Sequence, residues 1–283
     1  MTILRAEGLC KQYPAFCLHD VSFSIEEGRV MGLIGRNGAG KTTTIKALLR
    51  LIRPDGGVAE FLGKPVDENA AELRRACGYV SGDLCYYPRK TLAQLTAVTK
   101  SFYEDWDDAR YASLLTRFSL VDTKRVCELS AGMKVKYQLA CALSHGARLL
   151  ILDEPTSGLD PVSRDDLLDL LRTLCEKDGV SVLFSTHITS DLDACADDVT
   201  YLQNGTVAAS CRLADFTAPW KKLVGAESAL TPELKAGLRG LRVHRGEFEA
   251  LYPSDAPCPV GCREEAADLQ TVMVFLEREV QEG

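Results

Sequence analysis

Residues 30–44, VMGLIGRNGAGKTTT, constrain the fold of this chain more than any other stretch. An unbroken apolar run, Val30-Met31-Gly32-Leu33-Ile34, reads as a buried strand and stops at Gly35. Gly35-Arg36-Asn37-Gly38-Ala39-Gly40-Lys41-Thr42 then fits the pattern G-x-x-x-x-G-K-[ST] without a gap. Beyond it Ile45, Leu48, Leu49 and Ile52 recur at i, i+3, i+4 and i+7, which predicts an amphipathic helix. Strand, glycine loop and helix suit a polyphosphate: the glycines let backbone N–H groups converge, and the helix N-terminus adds partial positive charge. In that setting Lys41 reaches the β- and γ-phosphates and the Thr42 hydroxyl becomes a ligand for Mg²⁺. The stretch implies a bound nucleoside triphosphate.

The remaining segments supply a sheet around this strand. Val21, Phe23 and Ile25 alternate with polar residues, so residues 3–30 read as antiparallel strands. Tyr13, in the Lys-Gln-Tyr-Pro segment before them, is either a stacking face for a nucleobase or a half-buried packing tyrosine. After the Pro54-Asp55-Gly56-Gly57 turn come a strand at 58–62, a helix at 68–75 and a strand at 76–80. Residues 88–143 turn helical, with Leu92, Leu95, Val98, Phe102, Leu114, Leu115 and Phe118 as apolar positions, an insertion between two strands. Residues 148–152 return to a buried strand ending in Asp153-Glu154. A carboxylate at such a tip holds Mg²⁺ through water, and the next acid positions the attacking water or takes its proton. Asp160-Pro161 opens a helix. A strand at 180–185 leads to His187, where open α/β sheets bind ligands, although a lone histidine there is as readily structural. A helix at 189–196 and strands at 198–202 and 206–210 follow.

A chain of 283 residues accommodates one large domain and a small appendage. Its net charge of −7 argues against a nucleic-acid partner. No apolar run approaches the ~18 residues of a membrane span, and the first residues show no secretory h-region, so the expectation is a soluble, cytoplasmic protein. The 11 cysteines are odd in number and scattered, which reads as reduced thiols. The one close pair, Cys258 and Cys262, lacks a metal-site spacing and a second pair.

One further segment, Leu129-Ser130-Ala131-Gly132-Met133, precedes a helical run and the acidic strand. With it the chain resembles the ATP-binding subunits of ABC transporters over residues 3–210, in that family's motif order. The resemblance implies a P-loop NTPase core of α/β class with an antiparallel β subdomain and a helical insertion. It implies that Tyr13 stacks on adenine and that the loop Gly35, Asn37, Gly38, Ala39, Gly40, Lys41, Thr42 and Thr43 cradles the phosphates. Asp153 supports Mg²⁺ beside Thr42, Glu154 is the catalytic carboxylate, and His187 contacts the γ-phosphate. Ser157, Gly158, Leu159 and Asp160 form the D-loop. Ser130 and Gly132 cap the nucleotide of a second subunit, so two ATPs lie between two chains. Two departures stand out. Ala131 and Met133 replace residues of the family's LSGGQ, and Gly82 stands where the family has a glutamine, leaving Asp83 as the nearest substitute for a metal-water ligand.

The exporter-like wording of residues 77–83, 102–106 and 129–133 points to a bacterial exporter ATPase that powers a separately encoded permease, peripheral at the inner face of the membrane. It pairs with a second ATPase subunit, as a homodimer or a heterodimer. The alternatives are an ABC-type ATPase acting as an assembly or mechanical factor without a transporter, and a nucleotide-sensing subunit that no longer hydrolyses. The expected domains are 1–212, with a helical part at about 86–146, and a small α+β appendage at 213–283. Two strands near 242–252 and a terminal amphipathic helix carrying Leu269, Val272, Met273, Leu276 and Val280 build that appendage. Its expected role is packing or dimer stabilisation.

Overall fold

The computed structural model describes residues 1–81 and 87–282, with side chains to residue 278. Gly82, Asp83 and the side chain of Val280 lie outside the described residues. The chain divides into two compact units, Met1–Ser210 and Cys211–Gly283.

The first unit begins with two long strands, β1 (Thr2–Tyr13) and β2 (Phe16–Glu26), paired antiparallel from Thr2↔Glu26 to Tyr13↔Phe16. The phosphate-loop strand β3 (Val30–Ile34) is buried along its whole length and leads into α1 (Lys41–Leu48). The strands β4 (Gly56–Phe61) and β5 (Lys64–Pro65) complete an antiparallel sheet in the order β2-β1-β4-β5. Helix α2 (Val66–Ala76) and strand β6 (Cys77–Ser81) come next. The helical insertion consists of α3 (Leu92–Lys100), α4 (Asp108–Arg117) and α5 (Ala131–Ser144). A Thr91–Gln94 capping box starts α3, and Asp107 and Ser130 cap α4 and α5. The chain then alternates through β7 (Leu149–Asp153), α6 (Pro161–Asp178), β8 (Ser181–Thr186), α7 (Thr189–Cys195), β9 (Asp198–Gln203) and β10 (Thr206–Arg212).

The second sheet runs β10-β9-β3-β8-β7-β6, with β9, β3, β8, β7 and β6 parallel. Parallel strands covered on both faces need continuous apolar runs, which the fully buried β3 and the first four residues of β7 supply. The two sheets share one core: Leu9, Leu18 and Ile25 pack in the same cluster as Ile45, Leu48, Ile151 and Leu183. The order places the ends of β3, β7 and β8 side by side, and acid, hydroxyl and imidazole side chains accumulate there.

Two details depart from the sequence expectation. Helix α1 stops at Leu48, so Ile52 lies outside it. Arg50 adopts φ 54° while Arg50 N–H bonds Ala47 O and Leu51 N–H bonds Lys46 O, the paired 5→2 and 6→1 closure that ends a helix. In the helical insertion Leu92 and Leu95 are buried, but Val98 and Phe102 are exposed.

In the second unit, α8 (Leu213–Thr217), β11 (Trp220–Ala226), α9 (Pro232–Gly237), β12 (Arg239–His244), β13 (Glu247–Pro253), β14 (Cys262–Ala266) and α10 (Leu269–Glu282) follow in order. The four strands pair antiparallel in the order β12-β13-β11-β14 around Leu223, Leu238, Phe248 and Ala250. Leu269, Val272, Met273 and Phe275 of α10 are buried. The unit is α+β, with two more strands than the sequence suggested. Among the described residues no helix is long and apolar enough to cross a membrane.

Candidate functional site

The site forms where β3 meets α1. A Cβ on Gly35 would come within 2.4 Å of the Leu202 carbonyl oxygen, and one on Gly40 within 2.8 Å of the Phe16 ring. Gly40 moreover has φ 109°, a backbone region that side chains avoid. The loop therefore needs glycine at both positions to lie between β9 and β2. An open cleft of about 660 Å³ lies over it, lined by Ala15, Phe16, Asn37, Lys41, Glu154 and His187 among others.

Lys41 is 6% exposed, and its ammonium group donates to Gly35 O at 2.8 Å and to Arg36 O at 3.3 Å. It also pairs with Glu154 Oε1 at 3.2 Å. A buried ammonium without such partners would be strongly destabilised, so the loop's carbonyls and Glu154 fix where this charge sits.

The acids come from the end of β7, in register with β8: Asp153 pairs with Ser185. The Thr42 hydroxyl donates to Asp153 Oδ1 at 3.1 Å, and Ser185 Oγ donates to the same oxygen at 2.7 Å. The Glu154 N–H donates to Ser185 Oγ at 3.0 Å. One serine hydroxyl thus connects both acids. Glu154 has φ 50°, an uncommon conformation for a residue with a side chain. Its Oε2 lies 2.8 Å from His187 Nδ1, one residue past β8. The series Thr42, Asp153, Ser185, Glu154, His187 is continuous through hydrogen bonds and closes on Lys41. Asp153 also adds to burial in raising the Tyr79 hydroxyl above its ordinary range.

Behind the cleft, Asp191 of α7 is fully buried and holds three partners. Thr156 Oγ1 donates to it at 2.6 Å, Thr186 Oγ1 at 3.4 Å, and Arg164 Nε forms an ion pair with it. Thr156 follows Glu154 by two residues and Thr186 precedes His187, so one carboxylate anchors the main chain beside both. Sequence reasoning missed Asp191, Ser185 and Phe16. The strand register brings Ser185 to the site and the packing of α7 brings Asp191; Phe16 was marked by nothing more than its nearness to Tyr13.

The other expected residues lie elsewhere. Tyr13, at the end of β1, is 37% exposed with the Lys11 ammonium 5.8 Å from its ring centroid, and it is not among the cleft-lining residues described. Ser130 caps α5 by accepting from Met133 N–H at 3.3 Å. Gly132 packs near Leu159, 3.4 Å from where its Cβ would stand. Neither is among the residues lining this chain's own cleft. Asp160 caps α6 by accepting from the Val162 and Ser163 N–H groups at 3.1 and 3.0 Å. Hydrogen bonds from Ser163, its side chain first, hold the Asp160 carboxyl below the usual range. Ser157 of the same segment does line the cleft. Asp83 lies outside the described residues.

Comparison with known proteins agrees with this geometry. The family model described as ABC transporter matches residues 18–157, and one described as an AAA domain, putative AbiEii toxin, Type IV TA system, matches residues 125–192. The ABC transporter ATP-binding protein YtrB of Bacillus subtilis is 32% identical over 192 residues, 67% of this chain and 65% of YtrB. The Nod factor export ATP-binding protein I of Burkholderia lata is 35% identical over 193 residues, 66% of this chain and 63% of the relative. The chain therefore spans about two thirds of the length of these relatives. A solved structure described as an ATP binding subunit of an ABC transporter superposes with a TM-score of 0.68 at 31% identity, covering 76% of this chain and 91% of that one. The chain belongs to the ATP-binding proteins of ABC transporters, P-loop ATPases of α/β class.

Proposed function

We propose that this chain hydrolyses ATP to drive a separately encoded membrane permease, for export, through ATP-dependent closure of a dimer. The observation that carries the reading is the hydrogen-bonded series from Thr42 through Asp153, Ser185 and Glu154 to His187, facing the phosphate loop. Phosphate oxygens entering the cleft would compete with Glu154 for the Lys41 ammonium. The carboxylate that Lys41 releases stays fixed by His187 at its Oε2 and by Ser185 at its main-chain N–H. Held there, it orders a water molecule and accepts its proton as the bond between the γ-phosphorus and the bridging oxygen breaks.

The Thr42 hydroxyl and the Asp153 carboxylate, already bonded to each other, form an all-oxygen donor pair of the kind Mg²⁺ takes alongside water and phosphate. These two residues would hold the ion, and when bound it would neutralise charge on the phosphates. Asp83 is proposed as a further ligand through water, and Tyr13, with Phe16 beside the loop, as the adenine platform. Ser130 and Gly132, away from their own chain's cleft, would complete the nucleotide site of a second ATPase subunit, with Asp160 in the same contact. The domains proposed are 1–212, including the helical part at about 86–146, and 213–283 as a packing or dimer-stabilising appendage. The export relative supports the direction, and the setting proposed is the cytoplasmic face of the membrane.

The test is Glu154→Gln in the full chain, captured with ATP from solubilised membranes. Turnover should fall about 100-fold or more, ATP-bound dimers should accumulate, and a membrane subunit with several spans should be recovered. Undiminished hydrolysis would refute the role of Glu154, and capture without any membrane subunit would refute the coupling.

A further inference from the structure

The edge of the parallel sheet carries an unusual attachment. Among the described residues strand β6 is the last of its sheet, so its outward backbone groups face no further described strand. The Ser81 N–H donates to Gln138 Oε1 at 3.2 Å, and Gln138 Nε2 donates to Ser81 O at 2.8 Å. The N–H and C=O of one residue in a strand point the same way. A primary amide offers one acceptor and two donors and can satisfy both, as a neighbouring peptide would. The second donor of Gln138 goes to Lys134 O at 3.3 Å, one turn back in α5. The side chain is thus fixed from both ends.

This clamp joins two elements that carry different parts of the site. Gln138 lies in α5, the helix that begins at Ser130 and Gly132. Ser81 is the register partner of Asp153 on β7, next to Glu154. Helix α5 lies closely along β6: a Cβ on Gly78 would come within 2.4 Å of Ala142 Cβ. Contacts between Gly78 and Ala142 are apolar and close, and the Gln138 amide adds to them a directional pair of hydrogen bonds that holds the helix to the end of the strand.

We propose that Gln138 is a positioning residue that ties the Ser130–Gly132 segment to the strand pair bearing Asp153 and Glu154, so that the surface given to a partner's nucleotide moves with the chain's own acids. The inference rests on the proposed function above. Catalysis is sensitive to displacements of about 1 Å in groups held by such contacts, and Ser130 and Gly132 begin the helix that Gln138 anchors.

Gln138→Leu leaves an uncharged side chain one methylene shorter and removes both bonds to Ser81. In the full chain kcat should fall about tenfold or more, while the Kd of a non-hydrolysable ATP analogue, bound to the P-loop, stays within about twofold. Gln138→Glu separates positioning from bulk structure. A neutral carboxyl can donate to Ser81 O and accept from its N–H, but a carboxylate can only accept. Its kcat relative to the original chain should therefore recover as pH falls toward the glutamic acid pKa, about 4.3 in water and higher where burial disfavours the carboxylate. A Gln138→Leu chain with kcat within twofold of the original overturns the proposal. So does a parallel loss of kcat, ATP affinity and Tm with no recovery of Gln138→Glu at low pH. Amide exchange at Ser81, accelerated in Gln138→Leu, reads the clamp without reference to turnover; unchanged exchange also overturns it. Undiminished hydrolysis in Glu154→Gln would count against the proposed function alone, since that arm leaves residue 138 intact.

Discussion

The ends of β3, β7 and β8 differ sharply from the start of α5. At the strand ends each side chain is engaged by another of the same chain: Lys41 by Glu154, Glu154 by His187, Asp153 by Thr42 and Ser185. At the start of α5, Ser130 caps its own helix and Gly132 lies beside Leu159, and neither lines the chain's own cleft. One region is assembled by the fold of a single chain; the other offers helix N–H groups outward. The first can be mutated and read within one chain, whereas under the proposed function the second is read through a partner's nucleotide.

The largest expected effect tests that division. Lys41→Ala and Gly132→Asp should each reduce turnover about 100-fold when alone. A one-to-one mixture should regain about a quarter of the original rate, because a mixed pair contains one undamaged composite site. No recovery in a mixture whose chains pair and still bind ATP would remove the shared site and return Gly132 to a packing role. A smaller effect concerns the strand end itself. Glu154 sits at φ 50°, so Glu154→Gly should be more stable than Glu154→Ala by about 1 kcal/mol, the reverse of the usual order; equal urea midpoints would show that no backbone strain is held there.

The smallest effect lies at the far end of α5, where the buried His145 stacks on Tyr103 with ring centroids 4.0 Å apart. Burial holds the His145 pKa below its ordinary value of 6.5. The unfolded chain therefore binds the proton first. The contribution of neutral His145 is fully present above pH 6.5 and is lost as pH falls from there toward the depressed folded value. The Tm should drop on acidification through that window, and less steeply in His145→Phe. Identical slopes would show that this end of the helix does not sense protons.

The strand ends were legible in sequence because two signals coincide there: an apolar run marks a buried parallel strand, and a polar residue directly after it falls at the sheet's C-terminal edge. Asp153, Glu154 and His187 could be placed that way, and Lys41 and Thr42 by the glycine-loop pattern after β3. Ser185 could not. Its importance comes from standing opposite Asp153 across the β7–β8 register, a relation no local pattern encodes. Asp191 was hidden similarly, since a surface-type residue in a short helix gives no hint that Thr156, Thr186 and Arg164 surround it. The early end of α1 and the exposed Val98 and Phe102 show the limits of periodicity. A stripe records which residues share a face, without saying where the helix stops or whether that face is covered. In the second unit, β14 reads CREEA, an edge strand with no buried residue, so no alternation marks it in the sequence.

The Ser185 hydroxyl also limits the ways in which this site can fail. Side chains alternate between sheet faces, so a slip of β8 by a single residue would turn Ser185 to the opposite face. Asp153 would lose one of its two donors and the Glu154 N–H its shorter acceptor in one event. An error of register in the seam between the two strands therefore takes one contact from each of the two neighbouring acids at once, so the two are disturbed together.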